Sequence, residues 1–408
     1  ETPPASTFAK FALEANGKEM STTVAYVRMV GQLLKDATLG KRIVPIIADE
    51  ARTFGMADLF RQIGIYSPIG QLYQPEDRDQ LSYYKEATDG QILEEGINEA
   101  GALASWIAAA TSYSVHGQPM LAMYIYYSIF GFQRVGDEIW AAADSRSRGF
   151  LLGATAGRTT LSGEGLQHED GTSHLVASTI PNCRAYDPCF AYELAVILED
   201  GMRRMLADQE DVFYYVTLMN ENYAMPSMPP DSREGILRGM YKTRGTRLGE
   251  RGARVRLLGS WTILNEVIAA AELLENDWSI GADVYSVTSF TELRRDGMET
   301  SRASRLGSRA SPCWVEAQLP KTGIPVIAAT DYVSALPDLI RPWIADSYTT
   351  LGTDGFGRSD TRASLRRFFE VDRHAVVVAA LSALGDARVA EAVKRYGIDA
   401  ASAPPWTR

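Results

Sequence analysis

Short runs of consecutive apolar residues alternate with segments whose apolar residues recur every three or four positions, and the alternation persists along almost the whole chain. Strands buried on both faces of a parallel sheet read as unbroken hydrophobic runs, whereas the helices that cover them read as amphipathic. The pattern predicts an α/β fold with two parallel-sheet-containing domains. Residues 23–34 (TVAYVRMVGQLL) carry helical spacing, and residues 43–48 (IVPIIA) read as a short buried strand ending at Asp49 and Glu50. Polar residues at such an end stand where open parallel sheets place their ligands. Residues 91–93 make a second short strand, Gly96 breaks it, and Asn98 is placed to cap an alanine-rich helix over 99–111. Further strands are expected at 120–127, 150–155 and 212–219, with a helix at 192–206.

Residues 224–231 (AMPSMPPD) hold three prolines, and 241–256 are dense in Arg and Gly. Both features break regular structure. They divide the chain into a first domain at 1–230, a linker at 231–253 and a second domain at 254–408. In the second, strands are expected at 255–258, 284–287 and 326–329, a helix at 263–274, and a last apolar run at 376–384 continues the alternation as a strand. Residues 294–311, rich in Arg and Ser with almost no large apolar side chain, read as a surface excursion or a partner-facing loop.

Composition narrows the function classes. The 408 residues suffice for two or three domains, and 46% hydrophobic with 23% charged residues is ordinary globular usage. A formal charge of −10 argues against a nucleic-acid binder, which must neutralise phosphates with cations. Three cysteines without Cys-x-x-Cys spacing fit a reducing compartment, and no apolar run approaches the roughly 18 residues of a membrane span. The expectation is a cytoplasmic protein with neither a membrane nor a nucleic-acid partner.

No phosphate loop, nucleophile elbow, zincin helix or dinucleotide fingerprint is present. The densest polar cluster is 163–174 (GEGLQHEDGTSH), with Glu164, His168, Glu169, Asp170 and His174 between glycines. Six-residue spacing of two loop histidines matches no standard ligand set, so no metal site is expected. Catalytic use of His168 and a merely hydrogen-bonded loop both stay open, and His116 and His374 read as structural. Glu99 begins the small-residue helix, where a carboxylate is ordinarily just favourable to the helix dipole. The rings Tyr124, Tyr126, Tyr127, Phe130 and Phe132 crowd nine residues after a strand, more than packing usually needs.

Taken together, the words RIVPIIADEARTFGM (42–56), ILEEGINEAG (92–101), YIYYSIFGFQRVGD (124–137), GRTTLSGEGLQHEDG (157–171) and LGTDGFGRSD (351–360) closely resemble the homodimeric-type bacterial pyruvate dehydrogenases, the thiamine-diphosphate first component of a multienzyme complex. The resemblance covers nearly all of the chain from Ser21 onward. It implies a pyrimidine-binding domain of the thiamine-diphosphate fold followed by a transketolase C-terminal-like domain. It implies that Glu99 hydrogen-bonds N1′ of the aminopyrimidine, and so activates the coenzyme toward the carbonyl of a 2-oxo acid. Phe130 matches the ring that stacks on the aminopyrimidine. Tyr127, Glu50, Glu164 and His168 match residues on the substrate side, and Arg134 matches a charge partner for the buried acid.

The family binds the diphosphate and Mg²⁺ through a Gly-Asp-Gly word with a downstream Asn, and no such triplet occurs here. The resemblance therefore implies that another domain anchors the diphosphate. Either an N-terminal half has been removed, or a separate chain carries it; the acidic, Pro-rich lead-in favours the separate chain, and no initiator Met is present. The partners so implied are that second chain, self-association into a heterotetramer, and a lipoyl-bearing acyltransferase. Two other readings stay open: a split acyl or acyloin transferase of specialised metabolism, and a non-catalytic assembly subunit.

Overall fold

The segment LAMYIYY forms strand β3, and all seven of its side chains are buried, as a strand in the middle of a two-sided sheet requires. The computed structural model describes residues 2–48, 51–76, 84–249, 252–308 and 311–408. Its chain groups into two units, one of Glu1–Ala156, Val176–Ala185 and Phe190–Met228, the other of Gly157–Leu175, Tyr186–Cys189 and Pro229–Arg408.

The first unit holds a six-stranded sheet of β1 (Ile43–Ile47), β2 (Leu93–Glu94), β3 (Leu121–Tyr127), β4 (Gly149–Ala154), β5 (Cys183–Tyr186) and β6 (Phe213–Leu218), in the order β2-β1-β3-β4-β6-β5. The pairings of β1 with β2 and β3, and of β4 with β3 and β6, are parallel. Helix α1 (Thr22–Leu33) is capped by Ser21, whose hydroxyl accepts from Val24 N. Helix α2 (Glu99–Ala110) is capped by Asn98, α3 spans Phe132–Asp144, and α4 spans Ala191–Met202. The small residues of α2 let Trp106 reach the sheet, where it lies edge-on to Phe213 and its indole N–H donates to Phe150 O at 3.0 Å. A buried Trp normally finds such a partner.

The second unit holds a mixed sheet of β7 (Met240–Arg244), β8 (Arg254–Gly259), β9 (Gly281–Val287), β10 (Val326–Ala329) and β11 (Tyr348–Leu351), in the order β7-β9-β8-β10-β11. Only β7 runs antiparallel to its neighbour. Helix α5 (Ile263–Trp278) lies where helical spacing predicts it, and continues one turn further.

Two expectations are corrected here. Residues 294–305 are not a loop: they belong to a 16-residue helix, α6 (Phe290–Arg305). Ser289 Oγ caps it by accepting from Glu292 N at 3.0 Å. Its core-facing stripe of Phe290, Leu293 and Gly297 is narrow but keeps helical spacing. A glycine completes that stripe because the Trp343 ring lies against it, and a Cβ at 297 would fall 2.4 Å from Trp343 Cδ2. Nor is 376–384 a strand: helix α7 (Arg373–Ala383) is capped by Asp372, and its buried Val376, Val377, Ala380 and Leu381 pack on α5.

Candidate active site

In the first unit the named residues converge at the carboxyl ends of the parallel strands. Asn98 Oδ1 accepts from Gly101 N at 3.1 Å and opens α2, so that Glu99 occupies its first position with 7% of its surface exposed. The Glu99 Oε1 accepts from Arg134 Nη1 at 2.8 Å, and the arginine side chain is 49% exposed. Arg134 projects from α3, which follows β3 after a single turn at Ser128–Phe130. Its guanidinium also lies 3.9 Å from the centroid of Phe130, so one cation joins the acid to the ring. Tyr127, the last residue of β3, lies edge-on to both Phe130 and Phe54, with centroids 6.1 and 5.4 Å apart. Gly131 makes the turn possible, since a Cβ there would stand 2.5 Å from the Tyr126 ring. Glu99, Phe130, Tyr127 and Arg134 thus share one corner of the unit; Glu50 lies outside the described residues.

In the second unit His168 closes a short turn, Leu166–His168, with Nδ1 3.5 Å from Glu164 Oε2. Asp170 Oδ1 accepts from the amides of Thr172 and Ser173, each at 3.0 Å. The loop that carries these residues is anchored by a group the sequence reading passes over. Asp331, just beyond β10 and fully buried, accepts from Thr159 N at 2.9 Å and from Thr160 Oγ1 at 2.7 Å. Burial pushes its carboxyl up to about 6 despite these donors. Glu169 lies in the same loop with 4% of its surface exposed, and burial pushes it up to about 9, helped by the charge of Asp331 and opposed by Arg158. Burial in turn lowers the Arg158 guanidinium from its ordinary value. His174, two residues beyond Thr172, is buried with its Nε2 3.6 Å from Asp187 Oδ1.

Among the described residues no group of three or more His, Cys, Asp or Glu is arranged to hold a metal ion. Nor is any helix there long and apolar enough to cross a membrane.

Residues 4–226 match the family profile described as the pyruvate dehydrogenase E1 component middle domain, and residues 239–372 the transketolase-like TK C-terminal domain. The chain is 60% identical over 407 residues to the pyruvate dehydrogenase E1 component of Pseudomonas aeruginosa, covering 97% of this chain and 46% of that protein. To the same component of Escherichia coli K12 it is 55% identical over 401 residues, covering 96% and 45%. It therefore spans about half the length of these curated relatives. Among solved structures, transketolase from Campylobacter jejuni superposes with a TM-score of 0.67 at 16% identity, over 92% of this chain and 49% of that one. A split gene transketolase, described as an inactive beta4 tetramer, superposes with a TM-score of 0.57 at 17% identity, over 90% of this chain and 98% of that one. At these identities the likeness is one of fold.

Proposed function

The chain belongs to the family of the pyruvate dehydrogenase E1 component, and from that premise we propose that it is the aminopyrimidine-side part of a thiamine-diphosphate-dependent 2-oxo acid dehydrogenase acting on pyruvate. The observation that carries this reading is Glu99: a buried carboxylate at the head of α2, oriented by Arg134 and flanked by a half-buried phenyl ring. Such a donor set fits a flat heterocycle with one basic ring nitrogen. Thiamine diphosphate, when bound, supplies the carbon nucleophile that adds to the oxo-acid carbonyl and takes up the electrons left when carbon dioxide departs. Glu99 would hold and return a proton at the pyrimidine N1′, Phe130 would present a flat apolar face, and Arg134 would fix the carboxylate's direction. Tyr127, Glu50, Glu164 and His168 would orient the substrate carboxylate or pass protons to the acyl group.

In this reading an aminopyrimidine-binding domain, expected at 1–230, precedes the transketolase C-terminal-like domain expected at 254–408; the expected linker 231–253 instead carries a short helix at Arg233–Arg238 and strand β7 of the second sheet, and 157–175 group with the second unit. Diphosphate and Mg²⁺ are held by a domain carrying Gly-Asp-Gly, which no triplet of this sequence supplies. The complementary domain lies outside these 408 residues, the acceptor is a lipoyl-bearing acyltransferase, and the assembly is cytoplasmic. A split gene transketolase of matching extent supports this division of labour.

The test is recombination. This chain mixed with one bearing the Gly-Asp-Gly domain should bind thiamine diphosphate with Mg²⁺ and release carbon dioxide from pyruvate, whereas this chain alone should do neither. Tight cofactor binding by the lone chain, or a recombined enzyme inert toward every 2-oxo acid, contradicts the reading.

A further inference from the structure

Glu169 is the least compensated acid of the loop that carries His168. Its carboxyl is buried, and among the described residues neither oxygen has a hydrogen-bond donor. Gly357 packs closely against its side chain, and a Cβ at 357 would fall 2.3 Å from Glu169 Cβ. The loop is also pinned on both sides. Thr159 and Thr160 donate to Asp331, Gly163 N donates to Asp360 O at 3.1 Å, and Val333 N donates to Gly171 O at 3.0 Å.

The charged groups facing Glu169 are Asp331 from the end of β10, and Arg158 and Glu164 from its own loop. Arg158 is the one cation among them, and its Nη1 is committed to Thr353 O. Two carboxyls in one low-dielectric region cannot both ionise cheaply, and the donors decide which of them does. Asp331 has donors from Thr159 and Thr160, so the charge belongs there and the proton on Glu169.

We propose that Glu169 is a positioning residue for His168, seated in the loop as the uncharged acid, so that losing its proton loosens the loop and displaces the imidazole. The protonated state stands on burial and donors alone. Its consequence for catalysis rests on the reading of His168 as a site residue.

Two spectroscopic readouts on the full chain test this without cofactor or partner. Infrared difference spectra of wild type against Glu169→Gln, from about pH 6 to about pH 10, should show a protonated-carboxyl band at neutral pH that belongs to Glu169 and vanishes near pH 9. The chain has four histidines, so ring-labelled histidine allows the His168 signal to be followed by NMR. That signal should shift in the same alkaline step and lose the step in Glu169→Gln, which mimics the neutral acid and should keep the neutral-pH position. A wild type with no carboxyl band at neutral pH refutes the buried proton even if the variant fails to fold. A band that titrates while the His168 signal stays still, or a His168 step that persists in Glu169→Gln, refutes the positioning role. Either result leaves the assignment of Glu99 to a thiamine coenzyme untouched.

Discussion

Two buried glutamates, one in each unit, answer the cost of burial in opposite ways. Glu99 starts a helix and meets the Arg134 guanidinium at 2.8 Å, with the cation half in solvent. Glu169 finds no donor among the described residues and faces a second carboxyl. Burying an acid thus sets a problem with two solutions, a cation or a proton, and the neighbours select between them. A helix terminus and a cation place Glu99, and in the proposed function it exchanges a proton with the coenzyme. Buried without a donor among the described residues, Glu169 keeps its proton at neutral pH in the proposed account.

The contrast can be broken most severely at Asp331. Asp331→Ala removes the acceptor of two loop hydrogen bonds from a fully buried site, and should cost about 2–4 kcal/mol of stability, read by chemical denaturation. It should also lower the pH at which Glu169 loses its proton, since the repelling charge is gone. A loss under about 1 kcal/mol would mean that Asp331 does not anchor the loop. Next, Gly131→Ala forces a methyl into the Tyr126 ring and should cost about 1–3 kcal/mol, with Phe130 displaced from Arg134. Ring-current shifts of Phe130 that match wild type would argue against that displacement.

Stability against pH sharpens the comparison further. An acid that holds its proton more tightly when folded contributes stability that is complete below its ordinary value and is given up as pH rises to its folded value. For Glu169 that window runs from 4.5 to about 9. Wild-type Tm should therefore decline across this window, and Glu169→Gln should flatten the decline; parallel curves would contradict the assignment. The smallest effect on stability belongs to Arg134→Met, about 1–2 kcal/mol, since the cation is half exposed but its loss leaves the buried Glu99 without its partner. The same substitution should be far more damaging in the recombined enzyme, where Glu99 needs its direction.

Most of the fold is legible in the residue pattern because parallel strands leave a blunt signal. LAMYIYY cannot be anything but buried on both faces, and Asn98 before an alanine-rich stretch marks a helix start within a residue. Two segments misled for identifiable reasons. Three valines at 376–378 outweighed Asp372, the cap that makes that run a helix. In α6 a glycine does the work of an apolar side chain, because Trp343 fills the space from the other side, and no count of hydrophobics registers that. The candidate site is legible as a set of residue types, named through family resemblance, but not as an arrangement. That Arg134 touches both Glu99 and Phe130 depends on strand register and on one turn at Ser128–Phe130. Asp331, 172 positions from the Thr159 amide it accepts from, left no local mark at all.

The central claim is that Glu99 activates a thiamine coenzyme, and the most direct measurement is hydrogen–deuterium exchange at the thiazolium carbon between nitrogen and sulfur in the recombined enzyme. Glu99→Gln should slow that exchange by about 10²–10⁴-fold while the two chains still assemble and the coenzyme still binds. Exchange at the wild-type rate in an assembled, coenzyme-loaded variant would contradict it.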